Sequence, residues 1–329
     1  MFGLKVKEAI FQWYQENGRH DLPWRQTSDA YKIYLSEIML QQTQVKTVLE
    51  RFYFPFLERF PTLQSVAEAP LDDVLKMWEG LGYYTRAKNL HHTAMTCKGI
   101  LPSSSEELGG LKGIGKSTAH AICAFAYHEP LPILDANVKR VLCRYFAISV
   151  KNEKVLWEKA WKLLHVSHPY EHNQAMMDIG ARVCTPKNPQ CDACPLSLTC
   201  KGKSAPQHYP KPLQKVKVPT KKRFALVCER EGKLGLIQRK EKLLHGLWGF
   251  VQSDEMTEGV MLGQVCHTYS HFKLVLDVIQ TPLHVSVDGW FNSEEIAHLA
   301  LSTVDKKIKE CIEKATIRST PIKEAIEEG

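Results

Sequence analysis

Four cysteines lie within one short stretch of the chain, CTPKNPQCDACPLSLTC at residues 184–200. Six, two and five residues separate them, so a single loop supplies all four thiols. Structural zinc sites more often combine two Cys-x2-Cys pairs that a longer segment separates. Four thiolates on one loop instead suit an iron–sulfur cube, because each of its irons takes one cysteine. The spacing therefore predicts one 4Fe-4S cluster held by Cys184, Cys191, Cys194 and Cys200.

The rest of the chain carries no pattern of export or membrane insertion. The N-terminal residues alternate charged and apolar side chains at helical spacing, unlike a signal peptide, and no run of about 18 apolar residues occurs. We therefore expect an intracellular protein, in which clustered cysteines bind metal more often than they form disulfides. The lack of a transit-like leader favours the bacterial cytoplasm over an organelle, and we also expect a monomer. The cysteines outside the cluster are expected in the core; they are Cys97, Cys123, Cys143, Cys228, Cys266 and Cys311.

The net charge of +7 is concentrated in one segment. Residues 201–223 contain eight Lys or Arg, four Pro and no acidic residue, and subtracting that +8 leaves the other 306 residues at −1. We predict that this segment is an interdomain linker. Composition alone leaves open whether it is only a solvated connector or also lies along a phosphate backbone.

The hydrophobic period changes across this linker. Before it, apolar residues recur at helical spacing, as in residues 6–13. After it, residues 272–278 alternate as in a strand, and Glu231-Gly232 is the expected turn of a hairpin. The prediction is a mostly α-helical domain at 1–200, a basic linker at 201–223 and a smaller α+β domain at 224–329.

The stretch LKGIGKSTAHAI at residues 111–122 places two glycines before a helix rich in small residues. Gly113 and Gly115 permit a tight turn whose amide groups face outward at a helix N-terminus, an arrangement that suits phosphate. The pattern resembles a helix-hairpin-helix element, which grips DNA without reading its sequence. A plain turn between two helices is the alternative reading.

Two carboxylates each have a functional and a structural reading. Glu37 interrupts an apolar helical stretch, so it lies either on a narrow exposed stripe or in a cleft that would raise its pKa for general acid catalysis. Asp135 immediately precedes a helical run, where an N-cap role is the default for any aspartate. The stretch at residues 80–90 interleaves tyrosines with cations, which suits insertion into a base stack beside phosphates.

Over essentially its whole length the chain resembles the adenine DNA glycosylases of the MutY type, within the endonuclease III superfamily. The resemblance rests on the cysteine spacing and on these motifs: LPWR, SEIMLQQTQV, GLGYYTRAKNL, LKGIGKSTAHAI, PILDANVKRVL, NQAMMDIGARVC and HTYSHF. It implies excision of adenine mispaired with 8-oxoguanine or guanine in double-stranded DNA. It also implies a six-helix lobe at about 25–134 and an iron–sulfur lobe formed by 1–24 and 135–200, with a flipped-out adenine between them.

The resemblance assigns the catalytic roles. Glu37 would protonate N7 of adenine, and Asp135, oriented by Asn137, would stabilise or trap the oxocarbenium-like sugar. Ser117 occupies the position at which strand-nicking relatives carry a lysine that forms a Schiff base. Lys116 is one residue away and a helix turns by about 100° per residue, so a monofunctional glycosylase is expected.

Further roles follow from the same resemblance. Tyr83 would be the wedge that intercalates beside 8-oxoguanine, and Gln42 would be its companion in the emptied stack. Trp24 and Arg25 would line the adenine pocket, and Gln174 would read an edge of the adenine.

The C-terminal region resembles the Nudix-like module of this family, in which Tyr269, Ser270 and His271 would contact 8-oxoguanine. It lacks the motif of Nudix hydrolases, so no diphosphatase or metal site is expected there. Only Val251–Val265 separate HGLWGF from CHTYSHF, where the family usually has about twice that length, including a helix. A trimmed domain and weaker discrimination between 8-oxoguanine and guanine are therefore expected.

Two rival readings remain open. One is a pyrimidine glycosylase like endonuclease III, or a thymine-mismatch glycosylase, on the same fold. The other is a non-enzymatic iron–sulfur protein that binds DNA or senses redox state, in which Glu37 and Asp135 would be incidental. The sequence identifies no protein partner.

Overall fold

The computed structural model describes residues 2–211, 217–241, 243–282 and 285–319. The chain divides into two compact units. The helical unit comprises Met1–Glu68 and Asn89–Gln214, and the C-terminal unit comprises Ala69–Lys88 and Lys215–Gly329. Residues 69–88 thus group with the C-terminal part of the chain, although they lie inside the helical domain predicted for residues 1–200. The predicted domain boundaries stay a prediction.

Helices dominate the first two hundred residues, as the periodicity predicts. In chain order they are α1 Phe2–Asn17, α2 Ala30–Leu40, α3 Val45–Arg51, α4 Tyr53–Arg59, α5 Leu63–Glu68, α6 Leu71–Met77, α7 Thr85–Thr96, α8 Ser105–Gly109, α9 Lys116–Ala126, α10 Ala136–Tyr145, α11 Glu153–Leu163 and α12 Pro169–Asp178. Side chains cap several of them; Asp29, for example, accepts from the amides of Tyr31 and Lys32 at the start of α2.

The apolar stripe of α1 packs against the later helices of the helical unit. Val6, Ile10 and Tyr14 share one buried cluster with residues of α10, α11 and α12 and with Leu196 of the cysteine loop. This packing brings the N-terminal helix against the segment after residue 135. The limits of the two lobes stay a prediction.

Part of the predicted linker is fixed to the helical unit. The amides of Lys201 and Gly202 donate to carbonyls of α10, and the Lys211 amide donates to Ser149 at 2.8 Å. The first strand already starts at Thr220, so both ends of the segment at 201–223 are structured rather than free. Residues 212–216 lie outside the described residues.

The C-terminal unit contains two small sheets and two further helices. Its elements are β1 Thr220–Val227, β2 Glu229–Arg230, β3 Lys233–Gln238, β4 Trp248–Gly249, β5 Val251–Ser253, β6 Val260–Thr268, β7 Lys273–Gln280, β8 Gly289–Phe291, α13 Ser293–His298 and α14 Thr303–Ser319. One sheet has the order β5-β1-β7-β6 and is mixed, since β1 and β7 are parallel and the other pairs antiparallel. The other joins β2, β3 and β4, with β8 also on β3.

The strand and hairpin predictions for this unit are confirmed. Phe272, Leu274, Leu276 and Val278 are all buried, the last three on one face of β7. Glu231-Gly232 connects β2 to β3 with positive φ at both residues, 53° and 73°, which is the pattern of a type I′ turn. No helix lies in the described segment between β4 and β6.

The core prediction for the remaining cysteines is only partly right. Cys123, Cys143 and Cys228 are buried, and Cys97 and Cys311 are half-buried. For Cys266 the prediction is wrong, because the residue is exposed. It follows the buried Val265 on the edge strand β6, so its side chain points to the opposite, solvent-facing side of the sheet. Among the described helices none is both long and apolar enough to cross a membrane.

Candidate active site and cysteine loop

A pocket of about 690 Å³ opens in the helical unit, hereafter the central pocket. Its walls come from α2 and the turn after it, the start of α9, the loop before α10, and α12. Eight residues that the sequence singled out line this pocket: Trp24, Arg25, Glu37, Gln42, Ser117, Asp135, Asn137 and Gln174. The structure thus brings together groups that lie far apart in sequence.

Glu37 lies on the pocket side of α2 and is half-buried. The pKa of its carboxyl is raised from 4.5 to about 7, chiefly by burial and also by the nearby charge of Asp135, with Arg25 acting in the opposite direction. Of the two readings of Glu37, the structure therefore supports the cleft. A carboxyl with such a pKa is partly protonated at neutral pH and is available as a proton donor.

The position of Asp135 allows it both to cap a helix and to present a carboxylate at the pocket wall. Its Oδ1 accepts from the Val138 amide at 2.7 Å and so caps α10, while its Oδ2 accepts from Asn137 Nδ2 at 3.2 Å. Burial raises the pKa of Asp135, and these hydrogen bonds partly oppose that shift. Capping α10 is therefore compatible with a catalytic role for Asp135, because the cap fixes the carboxylate at the pocket wall.

Asn137 is itself held by groups that the sequence did not single out. Arg140 Nη2 donates to Asn137 Oδ1 at 2.9 Å and to the Gly180 carbonyl at 2.6 Å. A Cβ atom on Gly180 would lie 2.6 Å from Asn137 Cβ, closer than packing allows, so only glycine fits there. Gly180 lies within the motif NQAMMDIGARVC, but its partner is 43 residues earlier in the chain.

The loop that leads into Asp135 is anchored by side chains. Ser117 Oγ accepts from the Leu134 amide at 3.1 Å. Asn173, which is buried, accepts from the Ile133 amide and donates to the Leu131 carbonyl, both at 2.9 Å. Ser117 is thus a hydrogen-bond acceptor for the backbone next to Asp135, and Asn173 is a second anchor that the sequence reasoning missed.

Lys116 points away from the central pocket, as its position on the helix predicts. Its ammonium lies 4.5 Å from the centre of the Trp157 ring, in a cation–π contact, and Lys116 is absent from the pocket lining. His120, one turn further along α9, hydrogen-bonds through Nδ1 with the Pro132 carbonyl at 2.8 Å. Both residues therefore serve the packing of α9.

Arg25 is oriented by a buried ion-pair network. Its guanidinium makes two 2.8 Å hydrogen bonds to Asp178, one to each carboxylate oxygen, and Arg19 donates to the same carboxylate. Burial alone would raise the pKa of Asp178, but the hydrogen bonds and charges of Arg25 and Arg19 lower it. Asp178 is fully buried and was missed by the sequence reasoning, since nothing in NQAMMDIGARVC distinguishes a buried aspartate from an exposed one.

Gln174 carries an unsatisfied acceptor at the pocket wall. Its residue is 2% exposed, and among the described residues no hydrogen-bond partner reaches its buried Oε1. Leaving a buried acceptor unpaired costs about 1–3 kcal/mol, so a ligand that donates a hydrogen bond would find a prepared partner here.

The two glycines of residues 111–122 shape a turn between α8 and α9. Gly113 has φ of +84°, and a Cβ there would lie 2.4 Å from Asn89 Nδ2. Gly115 is the N-cap of α9, and no atom lies within 4 Å of the place that a Cβ would take there, so its surroundings are open. The geometry is that of a helix-hairpin-helix turn with free space at the helix N-terminus.

The four clustered cysteines line one pocket together with Arg144. None of them is in a disulfide. Arg144 donates to Cys184 Sγ at 3.3 Å and to the Thr185 and Pro186 carbonyls at 2.7 and 3.0 Å, which pins the start of the loop. The pKa of Cys194 is raised to about 11, chiefly by burial and also by the charges of the neighbouring cysteines, while a hydrogen bond from the Leu196 amide opposes the rise.

This donor set fits an iron–sulfur cluster, because four unpaired thiols converge on one pocket beside a cation that offsets thiolate charge. Within the described ranges no group of three or more His, Cys, Asp or Glu could hold a single metal ion. The four thiols nevertheless line a single pocket.

A second pocket, of about 340 Å³, lies in the C-terminal unit and is hereafter the tyrosine pocket. Tyr83, Tyr269, Ser270 and His271, all predicted to lie at 8-oxoguanine, line it. Tyr83 is 48% exposed with φ of +51°, a conformation that costs a non-glycine residue about 1–3 kcal/mol. Gln42, in the turn after α2, shares this rare conformation with φ of +59°. Such strain gathers at functional sites.

Comparison with known families agrees with this architecture. Residues 35–165 match the model of the HhH-GPD superfamily base excision DNA repair protein. Residues 184–197 match the iron-sulfur binding domain of endonuclease III. The fold is therefore the HhH-GPD helical fold, with an iron–sulfur domain and a C-terminal region that contains a mixed sheet.

Several curated proteins named adenine DNA glycosylase are similar to this chain. The protein from Buchnera aphidicola subsp. Acyrthosiphon pisum is 33% identical over 343 residues, which cover 93% of this chain and 97% of that protein. The Homo sapiens protein is 31% identical, and the match covers 91% of this chain and 72% of that protein. The protein from Buchnera aphidicola subsp. Baizongia pistaciae is 46% identical over 61% of this chain; that match spans only 59% of the relative's own length.

Solved structures of glycosylases match the helical part. A thermostable thymine-DNA glycosylase is 29% identical with a TM-score of 0.56, covering 60% of this chain and 94% of that one. A non-covalent endonuclease III–DNA complex gives a TM-score of 0.51 at 18% identity, covering 62% and 97%, and so supports the fold alone.

Proposed function

Because this chain belongs to the adenine DNA glycosylase family, we propose that it excises adenine paired with 8-oxoguanine or guanine in double-stranded DNA, as a step of base excision repair. The observation that carries the proposal is the pairing of Glu37 and Asp135 in one pocket with different environments. Action as a monomer in the bacterial cytoplasm belongs to the same proposal.

Glu37 acts as the general acid. Adenine is a poor leaving group as an anion, so its departure requires a proton on the base. A flipped-out adenine in the central pocket would present N7 to the protonated carboxyl of Glu37. The proton moves to N7 while the bond between N9 and C1′ breaks, and the bonding electrons leave with the base.

Asp135 stabilises the positive charge that remains on the sugar. Breaking the N-glycosidic bond leaves an oxocarbenium-like C1′, and a carboxylate beside it acts as in glycoside hydrolysis. The hydrogen bonds from Val138 and Asn137 hold Asp135 in place before the reaction, so no reorganisation is needed when charge develops. Water then bonds to C1′, either directly or by displacing an Asp135 carboxylate that has bonded there first, and the proton that the water loses passes to solvent.

Gln174, Trp24 and Arg25 form the proposed adenine site. The unpaired Oε1 of Gln174 is suited to accept from the exocyclic amine of adenine, a donor that guanine lacks at the same ring position. The buried ring of Trp24 supplies an apolar wall, and the anchoring of Arg25 by Asp178 keeps its charge near Glu37.

No lyase step is expected. Ser117 already accepts a backbone hydrogen bond, and Lys116 lies against Trp157. An imine at C1′ needs an amine beside the sugar; Ser117 has none, and the amine of Lys116 does not line the central pocket. The enzyme would therefore leave an abasic site in an intact strand.

The C-terminal unit is the proposed reader of 8-oxoguanine, through a Nudix-like module. Its tyrosine pocket places Ser270 and His271, both exposed, beside the proposed wedge Tyr83. Gly113 and Gly115 would hold a phosphate of the same duplex, and Gln42 would enter the emptied stack. The short connection between β4 and β6 leads us to expect weaker discrimination against guanine than is usual in the family.

The cluster would be held by Cys184, Cys191, Cys194 and Cys200. When bound, it supplies a rigid cross-link of the cysteine loop rather than an electron, since no step above requires redox chemistry. Lys187, Lys201 and Lys203 lie in or beside this loop and would then face phosphates as a fixed group.

Removal of one cysteine should abolish cluster binding. We expect Cys191→Ser to lose the broad visible absorption of the cluster and most of the roughly four iron atoms per chain, measured by absorbance and metal analysis. Cys266→Ser, which alters an exposed cysteine outside the loop, is the matched control and should keep both. Zinc in the purified wild-type protein, or full iron content in the Cys191 variant, would contradict the assignment.

The rate of adenine excision should depend on pH through Glu37. The active form is the protonated carboxyl, and its pKa is raised to about 7, so the single-turnover rate should fall as pH rises through that value. At low pH the rate should fall as Asp135 takes up a proton, above the usual aspartate pKa because burial raises it. Single-turnover rates over this range check the profile; a rate unchanged well above neutral pH would exclude Glu37 as the acid.

The experiment that tests the function compares single-turnover base release from four duplexes. These contain adenine opposite 8-oxoguanine, adenine opposite guanine, thymine opposite guanine, or thymine glycol. Release of adenine, with strand breakage only after alkali, would establish a monofunctional adenine glycosylase. Release of thymine or thymine glycol would support the rival glycosylases, and no release from any duplex would support a binding protein.

A further inference from the structure

The turn that presents Tyr83 is built rigidly. Gly80, Gly82 and Tyr83 all have positive φ, so the backbone between α6 and α7 takes a conformation that few sequences allow. The Gly82 carbonyl accepts from Trp78 Nε1 at 3.2 Å and from Arg86 Nη2 at 3.1 Å. The Arg86 guanidinium also lies 5.4 Å from the centre of the Tyr83 ring. The proposed wedge is therefore held in place before DNA arrives.

This turn belongs to the C-terminal unit and is hydrogen-bonded to the backbone of Leu301 in the same unit. The hydroxyl of Tyr84 donates to the Leu301 carbonyl at 3.2 Å and at the same time accepts from the Gly80 amide at 3.2 Å. Tyr84 is 6% exposed, and burial raises its pKa to about 12, so it stays a neutral hydroxyl that can do both. A single oxygen atom thus joins the Tyr83 turn to residue 301.

The amide of Leu301 is bound from the same segment. Glu79 Oε1 accepts from it at 2.9 Å, and Glu79 Oε2 pairs with Lys306 at 2.7 Å and with Lys76 at 3.1 Å. Both backbone groups of Leu301 are therefore taken by residues that lie within five positions of Tyr83. The Glu79 side chain is 9% exposed, so this contact is largely shielded from water.

Leu301 leads directly into the tyrosine pocket. The next three residues, 302–304, lie at the start of α14 and line this pocket together with Tyr269, Ser270 and His271. A base bound in the pocket would press on both the 302–304 segment and Tyr83 itself. Hydrogen bonds hold Leu301 at both its amide and its carbonyl, so this residue is the point at which the 302–304 segment and the Tyr83 turn are joined.

We propose that Tyr84 is a positioning residue that couples lesion reading to wedge insertion, by tying the Tyr83 turn to the segment that lines the tyrosine pocket after Leu301. This inference rests on the proposed function, since it presumes that the pocket receives 8-oxoguanine. It assigns Tyr84 no contact with the reacting atoms. Its loss should change how well the enzyme distinguishes the base opposite adenine and leave the chemical step intact.

The test is Tyr84→Phe, which removes one hydroxyl and keeps the ring. The readout is the ratio of single-turnover rates on adenine opposite 8-oxoguanine and adenine opposite guanine. We expect this ratio to fall by about 3- to 10-fold, the range that the loss of one or two hydrogen bonds allows. Tyr31→Phe is the matched control: Tyr31 is also buried and its hydroxyl also donates to a backbone carbonyl, that of Phe60, within the helical unit. It should leave the ratio unchanged.

A double-mutant comparison distinguishes coupling of Tyr84 to Tyr83 from a general destabilisation of the C-terminal unit. In a Tyr83→Ala background, Tyr84→Phe should have no further effect on the ratio, because the residue acts through Tyr83. A further fall there would overturn the proposal, as would a ratio in Tyr84→Phe equal to that of the Tyr31 control. Glu79→Gln, which weakens the second bond to Leu301, should shift the ratio in the same direction and serves if Tyr84→Phe is poorly folded.

The same assay distinguishes this inference from the proposed function. A wild-type enzyme that releases adenine from neither duplex would refute the glycosylase. Release at equal rates from both duplexes would refute lesion reading, and the coupling with it, while leaving the glycosylase intact. A wild-type preference for 8-oxoguanine that survives Tyr84→Phe would refute the coupling alone.

Discussion

Replacing Glu37 with glutamine is expected to lower single-turnover release of adenine by roughly 10²- to 10⁴-fold, the usual contribution of a positioned general acid. Glutamine keeps the size of the side chain but cannot transfer a proton. Release of free adenine from a duplex with adenine opposite 8-oxoguanine, at enzyme concentrations that saturate the DNA, is the measurement. Affinity for a duplex should change little, because the substitution leaves the rest of the central pocket in place.

The same variant also serves as a control for stability, because the direction of its effect on the free energy of unfolding can be predicted. The folded-state pKa of Glu37 is raised, so between pH 4.5 and about 7 the folded protein holds a proton that the unfolded chain has released. The free energy of unfolding therefore decreases as pH rises through this window, and glutamine removes that loss. We expect the thermal midpoint of Glu37→Gln to equal or exceed that of wild type above pH 7. A marked drop would mean that lost activity reflects unfolding.

Asp135→Asn is expected to reduce adenine excision by about 100-fold or more, on the scale of lost electrostatic stabilisation at a transition state. The amide is neutral and cannot balance charge at C1′. It still caps α10, since asparagine is as good an N-cap as aspartate, so stability should be nearly unchanged. Single-turnover kinetics and thermal unfolding of the same preparation check both parts.

Asp29→Asn supplies the matched control for this substitution. Asp29 caps α2 through the amides of Tyr31 and Lys32, in the way that Asp135 caps α10, but it does not line the central pocket. It should retain the wild-type rate. If Asp135→Asn behaved like Asp29→Asn, the cap would be the whole role of Asp135, and another group would have to stabilise the sugar.

Periodicity was sufficient to predict the fold class and several local elements. The change from helical to alternating spacing separates α12 from β7, and positive φ at Glu231-Gly232 is what a two-residue hairpin demands. Such signals are local, since each depends on residues within a few positions of one another. They could not reveal that residues 69–88 group with the C-terminal unit, because those contacts join segments more than 150 residues apart.

Sequence motifs predicted the candidate catalytic residues of the central pocket. They did not predict the residues that hold those side chains and their loops in place. Glu37 could be exposed or buried on periodicity alone, and only the packed structure supplies the cleft. Asn173, Asp178 and Gly180 lie in a recognised motif, yet their tasks depend on partners that the sequence does not mark. The prediction that Cys266 is buried failed for a related reason. A cysteine on an edge strand is buried or exposed depending on which face of the sheet its side chain points to.

The pairing of Arg25 with Asp178 has a consequence for the order of events during synthesis. The two residues are 153 positions apart, and Glu37 and Gln174 lie almost as far from each other. A ribosome that has released only the segment before α12 has therefore made the acid but not its pocket. Until α12 has emerged, Asp178 is missing and the ion pair that orients Arg25 cannot form. The central pocket can form only after nearly all of the helical unit has left the ribosome.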